Sequence, residues 1–377
     1  MGIGNDLIGD VEDLLVRDVI RSKNVFRFSK EDYLPYAFMF EKQVKEMFNV
    51  SGVILFPSAT TALMAFLKTI KLDKKDEVII SPLAWVADYS TLLFEDAKMR
   101  FCEIDKDMQI ITDSVKKLIN KNTKIIIIPH IMGRGQQEIG NIAKLCKEKK
   151  IILVEDIAQT FGVKINGKYA GSFGDFAFSS FNYHKLISTG DGGIAIVNSE
   201  NKYKEICQIH DQGCFIDECG KRKIVAEEYS KGLSLRVNNL TGALALAQLS
   251  RFALLKNLIL HKYDSISNLL TPKEKENIVK MNEGDIPYTL LLRSGRNKSY
   301  PSLLKCGWHF IENIPYYNKI KTDKKDKDNI NRSKKVIEST YAIGTGFIDK
   351  YYGIRDGVEI NKEIEEKSIK KTIKEIL

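Results

Sequence analysis

The chain has 377 residues, of which 44% are hydrophobic and 28% are charged, and its formal net charge at pH 7 is +9. This length and apolar content predict a large buried core and two domains. No apolar run approaches the roughly 18 residues of a membrane span, and the first residues lack the basic flank and apolar centre of a signal peptide, so we expect a cytoplasmic protein.

The positive charge is spread over lysine-rich runs such as residues 144–150 and 319–327. The simplest interpretation is solvated surface, and the sharper alternative is attraction to a diphosphate-bearing substrate. Nucleic acid binding is disfavoured because the basic residues are dispersed and no nucleic-acid-binding motif accompanies them.

The cysteines predict neither a disulfide framework nor a metal site, because no two of them stand in a Cys-x-x-Cys pair. We expect reduced, mostly structural thiols. A zinc or redox role for the closest pair, Cys214 and Cys219, is the weaker alternative. The six are Cys102, Cys146, Cys207, Cys214, Cys219 and Cys306.

Helical and strand patterns alternate along the first half of the chain, and short apolar strands such as Ile125–Pro129 are typical of a buried parallel sheet. The alternation predicts an α/β fold with a mostly parallel sheet flanked by helices. Helices are predicted over 11–22, 37–48, 60–70, 86–95 and 138–148, and strands over 77–81, 99–103, 125–129, 151–155, 176–180 and 193–197.

The second half is predicted to begin with one long helical stretch over 239–270, which links to a smaller α+β domain. The charged segment 321–332 is predicted to be an exposed loop, since lysine, aspartate and asparagine dominate it. We therefore place a large domain over 1–250, including the N-terminal helices, and a small C-terminal domain over 251–377.

The most informative stretch lies between residues 153 and 194. Asp156 ends an apolar strand, where the ligands of open α/β sheets bind. Lys185 follows 29 positions later, among hydroxyl residues and ahead of Gly-Asp-Gly-Gly at 190–193. An amine that can form a Schiff base, paired with a carboxylate that can hold a pyridinium proton, is typical of pyridoxal phosphate (PLP) enzymes.

Two earlier segments add candidates for the same site. Ser58 to Leu63 precedes an apolar helix, and the first N–H groups of that helix, with the hydroxyls of Thr60 and Thr61, could cradle a phosphate. Ser180 could add a further hydroxyl. Trp85, just past a strand, could stack on a pyridine ring, although a partly buried core tryptophan is an equally good interpretation on its own.

The order of these motifs resembles the DegT/DnrJ/StrS family of sugar aminotransferases, which have the fold type I aminotransferase architecture. The matching motifs are Glu-Asp-x-Ala-Gln at 155–159, Gly-Ser-Phe-Gly-Asp at 171–175, Ser-Phe-x-x-x-Lys at 180–185 and Gly-Asp-Gly-Gly at 190–193. The likeness is dense over about 40–255 and thin beyond.

The resemblance implies a PLP cofactor with Lys185 as its Schiff-base lysine and proton shuttle. It implies that Asp156 pairs with the ring nitrogen, that Trp85 stacks on the ring and that Gln159 approaches the 3-hydroxyl. The phosphate contacts would come from the helix start and Ser180. It also implies a homodimer with shared active sites, in which the loop 232–237 crosses into the partner's site. The phosphate residues are Ala59, Thr60, Thr61 and Ser180.

Four departures from the family pattern bear on the expected chemistry. Ala59 replaces a glycine, Ser234 replaces an asparagine that reaches the partner's phosphate, and the segment 133–135 replaces Gly-x-Pro. The C-terminal region lacks a clear match to the family's sugar-contacting segments; residues 314–317 resemble part of one, without the histidine that should follow. Substrate choice is therefore poorly determined by the sequence.

The first hypothesis for function is amino transfer from L-glutamate to a keto sugar, foremost a nucleotide-linked 4-keto-6-deoxyhexose. A PLP-dependent sugar dehydratase is the second; in the family such enzymes carry histidine at the lysine position, so Lys185 favours transamination. The third is a PLP-binding sensor or scaffold without catalysis, motivated by Ala59, Ser234 and the divergent C-terminal region.

Overall fold

The fold is built on a seven-stranded sheet in a computed structural model that describes residues 2–28, 33–224, 231–295, 301–305, 307, 309–344 and 362–377. The strands are β1 Gly52–Phe56, β2 Glu77–Ile80, β3 Lys98–Phe101, β4 Thr123–Pro129, β5 Ile152–Asp156, β6 Lys164–Ile165, β7 Lys168–Tyr169, β8 Phe176–Ser180, β9 Gly193–Val197, β10 Phe215–Ile216, β11 Arg222–Lys223, β12 Thr289–Arg293 and β13 Thr340–Gly344.

Helices occupy about half of the remaining described chain. They are α1 Ile3–Asp6, α2 Asp10–Ser22, α3 Tyr36–Phe48, α4 Ala59–Ile70, α5 Val86–Phe94, α6 Thr112–Leu118, α7 Ile139–Lys149, α8 Glu200–His210, α9 Asn239–Ser250, α10 Phe252–Ser267, α11 Pro272–Lys275, α12 Lys324–Glu338 and α13 Lys362–Ile376.

The strand order of the large sheet is β1-β9-β8-β5-β4-β2-β3. Parallel pairs join β3, β2, β4, β5 and β8, whereas β9 runs antiparallel to both of its neighbours, β8 and β1. Six strands therefore point the same way, and their carboxyl ends meet at one edge of the sheet. That edge is where ligands of such sheets bind.

The sequence explains why these strands sit in the middle of the molecule. Four consecutive isoleucines, Ile125 to Ile128, fill β4 and are fully buried, as expected for a parallel strand covered on both faces. Phe66 of α4 stacks on Phe176 of β8 with ring centroids 4.1 Å apart, which seats that helix on the sheet. The predicted fold class is confirmed.

A buried ion pair between Arg27 and Glu41 contacts the backbone of β1. Arg27 donates to both carboxylate oxygens of Glu41 at 2.8 and 2.9 Å, and Glu41 accepts the backbone N–H of Leu55 at 2.6 Å. His210 lies 3.1 Å from the carbonyl oxygen of Leu55. The N–H and the carbonyl of Leu55, on the outer edge of β1 near its carboxyl end, are thus both bound by charged or polar side chains.

The predicted long helical stretch over 239–270 is helical over most of its length, but it is not one continuous helix. The segment forms two helices, α9 and α10, that meet at Arg251 and are bent by 59°. Arg251 donates to the carbonyl of Leu7 at 2.8 Å and pairs with Glu12, so the N-terminal helices hold the corner. No glycine or proline stands at the corner, so no helix-breaking residue in the sequence marks the bend.

The predicted exposed loop over 321–332 is also wrong, because most of it belongs to helix α12. Asp323 caps the helix by accepting the N–H of Asp326. The buried stripe of α12 is largely polar, with Ile330 and Ile337 as its apolar members, so charged and amide residues dominate the local sequence. Its members are Asp326, Asn329, Ile330, Ser333 and Ile337.

Those polar side chains bind the free edge of β3. Asp326 accepts the N–H of Phe101 at 3.0 Å, and Asn329 donates to the carbonyl of Phe101 at 2.8 Å. Ser333 accepts the N–H of Ile104 at 3.2 Å. The helix therefore satisfies backbone groups that a further strand would otherwise have to pair.

Replacing Ser333 by alanine is expected to lower the free energy of unfolding by about 1–3 kcal/mol, because the buried N–H of Ile104 loses its acceptor. Denaturant titration of the purified variant measures the loss. Lys335→Ala, on the exposed face of the same helix, is the control and should change stability by less than about 0.5 kcal/mol. Equal stability of the two variants would contradict the role given to Ser333.

The C-terminal residues add a second, smaller core beside the main one. It lies between α10, the antiparallel pair β12–β13 and α13. The division into domains at residue 250 stays a prediction. The buried members of this second core are Tyr263, Ile266, Leu270, Leu290, Leu292, Tyr341, Ile343, Ile369, Ile373 and Ile376.

Of the cysteines in the described residues, four are buried and Cys219 is exposed, all as free thiols, and Cys306 lies outside those residues. The buried four are Cys102, Cys146, Cys207 and Cys214. No single helix of the described chain is long and apolar enough to cross a membrane; the bent pair α9–α10 passes that test only when its two helices are taken together.

Candidate active site

A cavity opens at the carboxyl ends of β1, β2, β5 and β8. It brings together seven of the predicted site residues, which are Ala59, Thr60, Trp85, Asp156, Gln159, Ser180 and Lys185. Two further predicted residues, Thr61 and Ser234, do not line it. Residues far apart in the sequence meet here because parallel strands deliver their ends to one edge.

The pair Glu155–Asp156 divides its tasks between the two faces of β5, since successive strand side chains point to opposite faces. Glu155 accepts the N–H groups of Gly171, Phe173 and Gly174 at 2.7–2.8 Å, which explains the motif that follows the strand. Asp156 faces the cavity, with one carboxylate oxygen accepting the N–H of Ala158 at 2.8 Å.

The loop that carries Lys185 is held from two directions. The N–H groups of Gly2 and Gly4 donate to the carbonyls of Tyr183 and Lys185 at 3.0 and 3.2 Å. From α9, Gln248 accepts the N–H of Ser188 at 3.1 Å. The backbone of the lysine is thereby fixed relative to the sheet edge.

The Lys185 side chain is partly buried, and its amine lies beside two carboxyl groups, those of Asp156 and Asp88. Burial lowers the pKa of Lys185 to about 8, against the opposing attraction of the two carboxyl groups. Burial also raises the pKa of Asp156, and the N–H of Ala158 and the charge of Lys185 oppose that rise. A lysine of this kind supplies a substantial fraction of free amine near neutral pH.

The start of α4 forms a cradle of N–H groups at the end of β1. Ser58 caps the helix, and its backbone and hydroxyl are engaged with Thr61, whose own hydroxyl donates to the carbonyl of Ser58 at 2.8 Å. Thr61 is therefore occupied within the cap, whereas Ala59 and Thr60 face the cavity.

The cradle also depends on Gly193 of β9. A Cβ atom at Gly193 would lie 2.3 Å from the backbone nitrogen of Ala59, so no side chain fits there. The absence of a side chain lets the helix start come directly against the sheet. The cradle is suited to a phosphate because the first N–H groups of a helix have no acceptor within it and its dipole favours anions.

Gln159 is oriented by contacts that the sequence does not suggest. Its side-chain oxygen accepts the N–H of Met132 at 3.0 Å and the hydroxyl of Tyr288 at 2.7 Å. With the oxygen engaged twice, the amide NH₂ is the group left to act as a donor within the cavity.

Replacing Tyr288 by phenylalanine is expected to weaken PLP binding roughly 2- to 10-fold, because one of the two hydrogen bonds that fix Gln159 is lost. Fluorescence titration of the apoprotein with PLP gives the dissociation constant. Tyr317→Phe, which lies outside the cavity, is the control. An unchanged constant in Tyr288→Phe would show that Gln159 does not depend on this hydroxyl.

Trp85 and Ser234 lie in different surroundings. The indole of Trp85 lines the cavity and contacts the ring of His309, with centroids 4.9 Å apart. Ser234 is exposed and lies outside the cavity of its own chain, where its backbone bridges to Asp211.

Sequence reasoning missed two residues of this cavity, Asp88 and Asp191, and two that contact its lining, Tyr288 and His309. Asp88 and Asp191 stand near strand ends, so the rule that located Asp156 could have found them; Asp88 reads as an ordinary first-turn acid of α5. Tyr288 and His309 come from C-terminal segments without a motif, and no sequence signal points to them.

Solved structures share this fold over nearly the whole chain. Helicobacter pylori PseC, an aminotransferase involved in the biosynthesis of pseudoaminic acid, matches with a TM-score of 0.76 and 18% identity over 97% of both chains. An E. coli GDP-4-keto-6-deoxy-D-mannose-3-dehydratase with bound hydrated PLP matches with a TM-score of 0.75 and 18% identity, again over 97% of both chains. The fold type I aminotransferase architecture is thus confirmed.

The fold is that of the fold type I aminotransferases. Residues 15–322 match the model of the DegT/DnrJ/EryC1/StrS aminotransferase family, and the chain belongs to that family.

Curated relatives are similar over part of their length. Vibrio cholerae GDP-perosamine synthase is 31% identical over 217 residues, 57% of each chain. Yersinia pseudotuberculosis GDP-4-keto-6-deoxy-D-mannose 3-dehydratase is 29% identical over 231 residues, 56% of this chain and 58% of that protein. The chain thus matches somewhat more than half the length of these relatives.

Proposed function

We propose that the protein is a PLP-dependent aminotransferase that moves an amino group from L-glutamate to a keto sugar, foremost a nucleotide-linked 4-keto-6-deoxyhexose. The observation that carries the proposal is the amine of Lys185 in the cavity beside Asp156, at the strand edge that also holds the helix-start cradle. When bound, PLP supplies an aldehyde that condenses with amines and a ring that accepts electrons.

The residues present fit this cofactor. The N–H groups at the start of α4, with the hydroxyls of Thr60 and Ser180, would hold the phosphate. Asp156 would accept the proton of the ring nitrogen, and Gln159 would donate to the 3-hydroxyl. The side chain of Trp85 would cover one face of the ring.

Lys185 has two tasks in the proposed reaction. Its amine holds the cofactor between turnovers, and its nitrogen then accepts and returns a proton as a general acid–base. A pKa of about 8 suits both tasks near neutral pH, since neither the free amine nor the ammonium form is rare there. The same amine serves the donor half and the acceptor half of the reaction.

The keto-sugar substrate is inferred from the relatives. Several carry names of enzymes that act on nucleotide-linked sugars, among them GDP-perosamine synthases and a UDP-sugar transaminase of Helicobacter pylori. The net charge of +9 would favour the approach of a diphosphate. The amino donor, the carbon that is aminated and a cytoplasmic location belong to the proposal as well.

We further infer a homodimer in which the loop 232–237 of one chain reaches the cavity of the other. Two observations support it: Ser234 is exposed and outside the cavity of its own chain, and the exposed Leu233 stands beside it. In that arrangement Ser234 would extend its hydroxyl toward the partner's phosphate.

Dehydration of the sugar is the competing reaction, because the relatives include a 3-dehydratase. Lys185 favours amino transfer, since its nitrogen can serve both as attachment point and as proton shuttle. The two reactions differ in their products: one gains nitrogen and keeps its hydroxyl groups, and the other loses a hydroxyl group.

The visible spectrum of the PLP-loaded protein, recorded before and after addition of L-glutamate, tests the first half of the reaction. We expect a bound chromophore that changes on addition of the donor, with release of 2-oxoglutarate. Supplying ¹⁵N-glutamate and a nucleotide-linked 4-keto-6-deoxyhexose then tests the second half. Mass spectrometry should find the label in the sugar, whereas an unlabelled deoxygenated sugar would establish the dehydratase.

A further inference from the structure

A second carboxyl group faces Asp156 inside the cavity. Asp88, in the first turn of α5, is 1% exposed and lines the cavity together with Asp156 and Lys185. Its carboxyl group accepts the backbone N–H of Trp85 and is a hydrogen-bond neighbour of the Asp156 carboxyl group. Two buried acids, carried by helix α5 and strand β5, therefore meet where the ring nitrogen of the cofactor would lie.

Two ionised carboxylates cannot share a buried contact, because each offers only acceptors and both carry negative charge. Oδ2 of Asp88 is buried and finds no N–H or O–H donor among the described residues. One proton between the two groups removes both difficulties, since a protonated carboxyl donates a hydrogen bond to its ionised neighbour.

The surroundings indicate which group keeps the proton. Asp156 accepts the N–H of Ala158 and feels the charges of Lys185 and His130, all of which favour its ionised form. Asp88 receives one backbone N–H and the attraction of Lys185, while Asp156 repels its charge. Burial and Asp156 therefore raise the pKa of Asp88 well above its usual value.

Asp191 lines the same cavity as Asp88, and two phenols also lie near Asp88. Tyr89 follows it on α5 and donates to the carbonyl of Ser81 at 3.0 Å. Tyr316 comes from the C-terminal part and donates to the carbonyl of Val86 at 2.9 Å. Each phenol is engaged with a backbone oxygen.

We propose that Asp88 is a positioning residue that holds one proton jointly with Asp156 and so sets the charge that faces the cofactor ring nitrogen. The Asp88 hydroxyl donates to the Asp156 carboxylate, which fixes that carboxylate and leaves the pair with one negative charge instead of two. This inference rests on the proposed function, because the ring-nitrogen role of Asp156 belongs to it.

The apoprotein offers a test that needs no cofactor. In the unfolded chain Asp88 ionises at about pH 4, whereas in the folded chain it keeps its proton to higher pH. The folded state then binds more protons, so Asp88 lowers stability increasingly as pH rises from about 4 toward its folded pKa. Asp88→Asn keeps a donor and removes this titration.

The free energy of unfolding of Asp88→Asn and wild type should therefore be compared from pH 5 to pH 8. We expect the variant to gain on wild type as pH rises, by up to about tenfold in the unfolding constant per pH unit. Asp113→Asn, an exposed acid in the first turn of α6, should show no such trend. A difference between Asp88→Asn and wild type that is flat with pH would overturn the proposal.

Asp156→Asn provides an independent arm should Asp88→Asn fail to fold. Without the repelling carboxylate, Asp88 should ionise more readily, and stability should fall less steeply with pH than in wild type; an unchanged slope contradicts the shared proton. If the wild type binds no PLP but the expected pH dependences of the free energy of unfolding are observed, the proposed function is wrong and the shared proton of Asp88 and Asp156 is still supported.

The absorbance of bound PLP tests whether Asp88 and Asp156 affect the cofactor. The pH at which the absorbance of bound PLP changes should shift in Asp88→Asn, while PLP affinity stays within about threefold because the amide still donates to Asp156. Asp88→Ala, without a donor, should bind PLP more weakly than Asp88→Asn. Equal affinities and identical pH profiles in wild type and both variants would sink the proposal.

Discussion

Lys185→Ala is expected to abolish amino transfer, with a loss of at least about 10²–10⁴-fold from the missing proton transfer alone. The physical reason is that Lys185 is the one lysine among the described residues that line the cavity, so no other amine can take its place. PLP should still bind through the cradle and Asp156, but gel filtration should remove it far more easily. Release of 2-oxoglutarate from L-glutamate measures the loss.

Lys116→Ala is the matched control, because Lys116 is an exposed lysine on α6 far from the strand ends. It should retain wild-type activity and its visible spectrum. The apoprotein gives a second measurement: labelling of Lys185 by an amine-reactive reagent should rise with pH through about pH 8, where its amine loses the proton. Retained turnover in Lys185→Ala would refute the assignment.

Glu41→Ala should lower the free energy of unfolding by about 3–5 kcal/mol, because it leaves the buried guanidinium of Arg27 without its counter-charge. The N–H of Leu55 loses its acceptor at the same time. Denaturant unfolding of the apoprotein measures the loss. The damage should extend to PLP binding, since β1 leads directly into the cradle at the start of α4.

Glu46→Ala, an exposed substitution on the same helix α3, separates this effect from a general loss of helix stability. It should change the free energy of unfolding by less than about 0.5 kcal/mol. A loss below about 1 kcal/mol in Glu41→Ala would mean that the pair contributes little beyond the desolvation of its charges.

The centre of the sheet and much of the cavity can be predicted from the sequence because short local sequence patterns specify both. A short apolar strand followed by a polar residue marks a strand end, and parallel topology brings such ends together. This rule predicts Asp156, the hydroxyl- and glycine-rich motif around Lys185 predicts the lysine, and the cavity contains both. Family membership is likewise confirmed, whereas the individual roles of these residues remain proposals.

Other parts could not be predicted, for physical reasons that differ from case to case. Tyr288 reaches Gln159 through a tertiary contact between residues 129 positions apart, and no local pattern encodes such a contact. The sequence does not identify Asp88 as a cavity residue, because an acidic residue in the first turn of a helix is common. Helix α12 escapes prediction because hydrogen-bonding side chains make up most of its buried stripe, so its few apolar residues give a weak signal among the charged ones.

The hydrogen bonds between α12 and the edge strand β3 affect how the chain folds during synthesis. Phe101 and Asp326 are 225 residues apart in sequence, so the sheet border stays open until the C-terminal third of the chain has been synthesised. Until then the bare border can pair with strands of other nascent chains. We therefore expect chains truncated before residue 324 to aggregate during synthesis, although they contain every strand of the large sheet.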